Sequence, residues 1–305
     1  MKATNIEPVT APVHAVGESP VWRAAEGALY WVDIPAKRLH CLEVGSGRAR
    51  AWSAPEMLAC IAFENDGCVV AGLESGIFSL APAPDGTMAA IRWAAPSFPM
   101  KNMRFNDGRC DRQGRFWAGT MNMDMGAAHP VGELYRYDAS EGLTGPFVEG
   151  LLVQNGLAFS PSGDRMYLSD SHPRSRQVWV FDYDRDSGTP GERRVFVDMN
   201  RYEGRPDGAA VDVDGCYWTC ANDAGRLLRF TPEGVLDRNI ALPVRKPSMC
   251  AFGGAGLDTL YVTTIRPQDE AALASQPLAG AVLALRPGTQ GLAEPEFAAR
   301  GRILN

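Results

Sequence analysis

The chain has 305 residues, of which 45% are hydrophobic and 22% charged, and it carries a formal net charge of −6. That balance belongs to a globular protein of one large domain or two ordinary ones, and the acidic surplus excludes the basic footprint that a nucleic-acid or anionic-membrane partner requires. No run approaches the roughly 18 consecutive apolar residues of a membrane helix, and the N-terminal stretch lacks the apolar core of a secretory signal.

In chain order, residues 5–15 precede the first of six similar units. Short apolar segments begin just after a turn at Gly27 (GALYW), Gly67 (GCVVA), Gly114 (GRFWA), Asp164 (DRMYL), Gly215 (GCYWT) and Asp258 (DTLYV), at intervals of 40, 47, 50, 51 and 43 residues. Each follows a shorter strand (SPVW, ACIAF, FNDGRC, NGLAF, DGAAV, MCAF) and most lead into a third, such as RLHCLEV or QVWVFDYD. Asp66-Gly67, Ser162-Gly163, Asp214-Gly215 and Glu233-Gly234 separate strands as hairpin turns. Asp212 to Gly215 resembles the start of a calcium-binding loop but lacks the later Glu, and reads as another hairpin. One short helix is expected, over Asp269 to Ser275, where acids precede an Ala-Ala-Leu-Ala run.

Six units of three to four strands predict an all-β, six-bladed β-propeller occupying 1–305 as a single domain, with the stretch from Asn5 to Ala15 pairing with the last blade to close the ring. The alternative, a two-domain β-sandwich, does not account for six evenly spaced units. Seven cysteines, an odd number with no Cys-x-x-Cys pair, point to reduced thiols, a cytoplasmic location and no thiolate zinc site. Cys216 and Cys220 are expected to fill a core between blades.

The repeat phase singles out polar residues. Counting back eight or nine residues from each second-strand start lands on Glu18, Asn106, Asn155 and Asp207 in four units, and on Leu58 and Met249 in the other two. The innermost strand of every blade lines the central channel, so residues at one phase form a ring. Two acids and two amides at one height repel or stand unsatisfied unless a cation lies between them. An all-oxygen set suits a hard or borderline divalent ion, with Glu18, Asn155 and Asp207 sufficient as ligands. Each Asn-Gly or Asp-Gly pair taken alone is also an ordinary turn former.

These residues sit in segments similar to the SMP-30/gluconolactonase/luciferin-regenerating-like family, which includes regucalcin. The matching segments are Gly17-Glu18-Ser19-Pro20-Val21-Trp22, Arg104-Phe105-Asn106-Asp107-Gly108, Ala118-Gly119-Thr120-Met121, Asn155-Gly156-Leu157, Pro206-Asp207-Gly208 and Cys250-Ala251-Phe252-Gly253-Gly254. Gln276 to Gly280 fits the family's tail. The resemblance implies a six-bladed propeller with one catalytic divalent metal held by Glu18, Asn155 and Asp207. It also implies substrate contacts from Arg104 and Asn106, and from Asp124 in the loop 122–130.

The chemistry expected is hydrolysis of a sugar (aldono-) lactone to its aldonic acid. Ca²⁺ is the first choice of cation, with Mn²⁺, Zn²⁺, Mg²⁺ or Fe²⁺ as alternatives. Asp207 serves as ligand and as proton acceptor for the attacking water. Arg104, two residues before Asn106, shares its strand face and holds a carbonyl, hydroxyl or carboxylate. His172 reads as a loop residue near the channel mouth, and His129 as part of a lid. Gly-x-Ser-x-Gly, P-loop and dinucleotide fingerprints are absent from the sequence. Two other readings keep the fold: phosphotriester or non-sugar lactone hydrolysis at the same site, and a non-catalytic calcium-binding regulatory propeller. The expected partner is a small-molecule sugar lactone, with neither nucleic acid nor membrane, and the chain is expected to be a monomer or weak homo-oligomer.

Overall fold

A computed structural model describes residues 5–299. Residues 1–4 and 300–305, the two ends of the expected single domain, lie outside the described residues. Six antiparallel sheets follow one another along the chain, and each runs as a meander from an inner to an outer strand. The inner strands are Gly17–Arg23, Leu58–Phe63, Met103–Cys110, Gln154–Phe159, Arg205–Val211 and Pro247–Gly253. We number the blades 1 to 6 in that order. Blade 4 carries an extra two-residue strand, Thr189–Pro190, beside Tyr183 and Asp184.

The second strands explain why the sequence reads as continuous apolar runs. Ala28–Asp33, Phe116–Asn122 and Tyr217–Asn222 are buried along their whole length, because neighbouring blades cover both faces of the sheet. At the rim alternation returns, as in Leu236–Ala241, whose residues are by turns half-buried and exposed. Large aromatics fill the wedges between blades: Trp117, Trp218, Tyr167, Tyr217 and Phe230 are among the largest fully buried side chains. Cys220 is wholly buried in one such wedge with Trp218 and Cys250, as expected; Cys216 is also buried, one residue before its strand begins.

Ring closure follows the sequence reading. Ile6–Pro8 pairs with Leu283–Leu285, the third strand of blade 6. The pairing continues through Val9 N–H to the Val282 carbonyl at 2.9 Å and Val282 N–H to Thr10 Oγ1 at 2.9 Å. The short helix forms at Glu270–Ser275, capped by Asp269, whose carboxylate accepts from the Ala272 N–H at 2.7 Å.

The C-terminal tail crosses one end of the ring. Gly291 bridges to Asp212 of blade 5 and Phe297 to Glu64 of blade 2, and the Ala298 N–H reaches the Gly114 carbonyl of blade 3 at 2.9 Å. Between these anchors Glu294 pairs with Arg109 at 3.3 Å. Arg109 stands near the far end of the same inner strand that carries Arg104 and Asn106, so the tail lies at the end of the channel away from those residues.

Candidate active site

Every inner strand breaks register with its neighbour at the same height. The breaks fall between Glu18 and Val21, Leu58 and Cys60, Phe105 and Gly108, Asn155 and Ala158, Pro206 and Ala209, and Pro247 and Cys250. A bulge re-aims side chains and frees backbone groups from the ladder. The expected single phase therefore resolves into two adjacent positions. Glu18 and Asn155 are the last paired residues before their bulges, whereas Asn106 and Asp207 are the first residues inside theirs. The counts of nine and eight in the sequence record this difference.

The bulges of blades 1 and 4 share a left-handed residue: Ser19 at φ 46° and Gly156 at φ 59°. Glycine is required in blade 4, because a Cβ there would stand 2.4 Å from the Tyr217 hydroxyl and 2.5 Å from Ser169 Oγ. Ser19 adopts the same conformation while its hydroxyl accepts a hydrogen bond from the Ile61 N–H of blade 2 at 3.0 Å.

The side chains at this level fall into three hydrogen-bonded groups. Arg104 donates to the Asn106 carboxamide oxygen at 2.8 Å and to its neighbour's carbonyl at 2.7 Å. The Asn106 NH₂ donates in turn to the Gln154 carbonyl at 2.7 Å, which ties blade 3 to the residue beside Asn155. Asn155 is buried and donates through Nδ2 to Ser171 Oγ at 3.1 Å, which leaves its carboxamide oxygen as the atom turned elsewhere. Asp207 accepts from Asn222 Nδ2 on one oxygen at 2.6 Å.

The electrostatics are those of acids crowded out of water. Burial, then the charges of Asp207 and Asp107, push the Glu18 carboxyl well above the usual carboxylate range; the Ser19 N–H and Arg104 oppose this. Burial pushes Asp207 up to about 7, against the pull of Arg205 and Asn222 and with a further push from Asp107. Burial also lowers Arg104 to about 10, with Glu18 acting the other way. Glu18 thus feels the charges of both Asp207 and Arg104.

Asp124 stands apart. It is exposed and caps the single turn Met125–Ala127, its carboxylate accepting from the Ala127 N–H at 3.2 Å. His172 is a loop residue, as expected, but a buried one. Its Nδ1 accepts from the Arg174 N–H at 3.1 Å, so Nε2 carries the proton and donates to the Met125 carbonyl at 3.0 Å. This bond pins the turn bearing Asp124 to blade 4. His129, in the same loop, is exposed.

Sequence reasoning passed over Asp107, Ser171, Arg205 and Asn222. Asp107 is buried, holds the Leu157 N–H at 2.8 Å through one oxygen, and leaves the other without a hydrogen-bond partner. Counting forward seven residues from Asp164 and Gly215 reaches Ser171 and Asn222, but the same count lands on Ile34, Met121 and Ile265 in three other units, a weaker signal than the backward count.

Three oxygen-bearing side chains, Glu18, Asn155 and Asp207, each have an oxygen not committed to a hydrogen bond with another side chain. Among the described residues no group of three or more His, Cys, Asp or Glu gathers as a metal site. Here the third donor is an amide. Two acids held at raised pKa beside an amide oxygen fit a hard divalent cation, which would offset their repulsion. The fold and these side chains define a propeller that carries uncommitted oxygens at the register breaks of three inner strands.

Residues 16–266 match the SMP-30/gluconolactonase/LRE-like region, and the chain belongs to that family. It is 41% identical over 285 residues to the 6-deoxy-6-sulfogluconolactonase of Pseudomonas putida, covering 93% of this chain and 95% of that one. It is 34% identical over 293 residues to the L-arabinolactonase of Azospirillum brasilense, covering 95% and 94%. Among solved structures, a calcium-binding protein, regucalcin, from Agrobacterium tumefaciens superposes with a TM-score of 0.89 at 25% identity, covering 97% of this chain and 98% of that one.

Proposed function

We propose that this protein is a metal-dependent lactonase that opens a sugar lactone to its aldonic acid, with Glu18, Asn155 and Asp207 as the metal ligands. The observation that carries the reading is that Glu18, Asn155 and Asp207 stand at the register breaks of three inner strands, each with an oxygen not committed to another side chain, while the Asp207 charge pushes the half-buried Glu18 carboxyl up. The names of the two lactonase relatives support the substrate class. The name of the regucalcin relative supports Ca²⁺ as the first choice of cation, and Mn²⁺, Zn²⁺, Mg²⁺ and Fe²⁺ are the alternatives.

A divalent ion bound there supplies Lewis acidity toward the lactone carbonyl and lowers the pKa of water. The chain's own side chains do the rest. Arg104, fixed by Asn106, holds the carbonyl end of the substrate, and Asn106 orients a ring hydroxyl. Asp124, pinned through the Met125 turn, accepts from a second hydroxyl. Asp207 takes a proton from water as its oxygen attacks the carbonyl carbon. The ring C–O bond breaks, and the proton passes to the departing ring oxygen, leaving a hydroxy acid.

In the same reading the protein acts as one domain, as a monomer or weak homo-oligomer. The described cysteines are all free thiols, which supports a cytoplasmic location. Among the described residues no helix is long and apolar enough to cross a membrane.

A pH-stat assay over glucono-, xylono-, arabinono- and galactonolactone, with and without EDTA, tests the proposal. Acid release that EDTA abolishes and Ca²⁺ or Mn²⁺ restores is the expected result. Hydrolysis of paraoxon-like esters in preference to every lactone, or no metal-dependent acid release at all, overturns it.

A further inference from the structure

Arg205 has no part in the proposed chemistry, yet it sits two positions before Asp207 on the inner strand of blade 5. Its guanidinium is committed in three directions. Nε donates to Asp223 Oδ2 at 2.7 Å, one Nη to the Ser171 carbonyl at 3.0 Å, and the other Nη to Asn222 Oδ1 at 3.3 Å. Two of these acceptors hold the pocket. Asn222 donates to Asp207, and the hydroxyl of Ser171, whose backbone carbonyl Arg205 holds, receives the Asn155 carboxamide. Asn222 lies directly opposite Arg205 in the blade 5 ladder, whereas Ser171 belongs to blade 4.

We propose that Arg205 is a positioning residue that sets the separation of Asp207 and Asn155. It joins Asn222 and Ser171, which orient those two side chains, into one hydrogen-bonded unit across the seam between blades 4 and 5. The planar fork of a guanidinium reaches three divergent acceptors at fixed angles. An ammonium at the same place carries the charge but not that geometry. Asn222 depends on this most: with its oxygen held by Arg205, its NH₂ is aimed at Asp207 and the amide cannot turn over. The segment bearing Arg205 is held as well, since Arg176 donates to the carbonyls of Met199 and Gly204 at 2.8 and 2.7 Å. Asp223 closes the far side of the fork and keeps its charge balanced.

This inference rests on reading Glu18, Asn155 and Asp207 as cation ligands, and partners one step behind such ligands typically contribute roughly 10–100-fold to affinity. The variants are Arg205→Lys and Arg205→Met. Melting of the EDTA-treated proteins establishes that each folds. Mn²⁺ affinity of these metal-free proteins, followed by its EPR signal, is expected to fall roughly 10-fold or more in both, the Lys variant included. Side-chain amide resonances of Asn155 and Asn222, in protein labelled at asparagine, give a reading independent of metal. Both are expected to shift and exchange faster with solvent in the variants than in the wild type.

Mn²⁺ affinity within twofold of wild type in both variants overturns the proposal, as do unchanged Asn222 and Asn155 resonances. A wild-type protein that binds neither Mn²⁺ nor Ca²⁺ overturns the ligand reading instead. In that case the amide resonances still decide whether Arg205 holds the unit together.

Discussion

Asp207 shows how a single side chain can be poorly placed for stability and well placed for chemistry. Its pKa is raised in the folded chain, so its ionised form costs stability. That cost is absent below the unfolded carboxylate value near 3.8, grows as pH rises toward about 7, and is complete above it. Asp207→Asn removes the charge while leaving an oxygen to accept from Asn222. In EDTA at pH 8 the variant is expected to melt several degrees above wild type. With Ca²⁺ or Mn²⁺ restored, lactone hydrolysis is expected to fall by at least about 1000-fold, since ligand and proton acceptor are lost together. A melting point that drops, or turnover that survives, contradicts this account of the residue. The identities of Glu18, Asn155 and Asp207 as candidates were legible in the sequence because a repeat makes phase visible. Arg205 was not, because its role lies in three acceptors drawn from two blades.

At the scale of the element, the bulge matters more than the strand. All six inner strands break register at one height, and that break frees residues of a buried ladder from regular pairing. In blade 4 the break depends on Gly156. Gly156→Ala combines a left-handed backbone with a Cβ that meets the Tyr217 hydroxyl, itself bonded to the Gly156 carbonyl at 2.8 Å. The substitution is expected to cost about 1–3 kcal/mol. Because Asn155 is adjacent, weakened Mn²⁺ binding should accompany the lowered melting temperature; calorimetric melting and an EPR titration on one preparation measure both. Intact metal affinity in a destabilised variant would mean that the bulge shapes the fold and not the pocket.

For the molecule as a whole, the closing seam carries a dependence on pH. His14 donates through Nδ1 to the Gly280 carbonyl at 2.7 Å beside the closing strand, and its ring meets that of His40 edge-on at 4.8 Å between centroids. Trp31 stacks on His40 at 5.3 Å. Burial and the neighbouring His14 lower His40 to about 4, and burial lowers His14. Both are therefore neutral in the folded chain at pH values where the unfolded chain, with its histidine near 6.5, takes up protons. Stability is full above that value and falls as pH drops from 6.5 toward 4, by up to about 3 kcal/mol for His40. His40→Phe is expected to flatten this limb. Denaturant unfolding of both proteins at pH 7.5, 6, 5 and 4.5 measures it, and parallel curves would remove the histidines as its source. The same seam is legible in residues 5–15, which precede the first of the six units and pair with the last blade.

What the sequence by itself determined is the part of the molecule that repeats. Blade number, strand runs, ring closure and the Glu270–Ser275 helix rest on local periodicity, turn chemistry and capping, all of which act between residues near in sequence. Only the tertiary structure decided which polar groups answer one another. The Asn106 bond to blade 4, the His172 pin on the Met125 turn, the Arg205 fork and the tail that lies across the ring join residues from different blades. The physical reason is that the bulges and loops that aim these groups exist only once neighbouring blades pack. Until then a buried acid and its distant partner carry no shared signal along the chain.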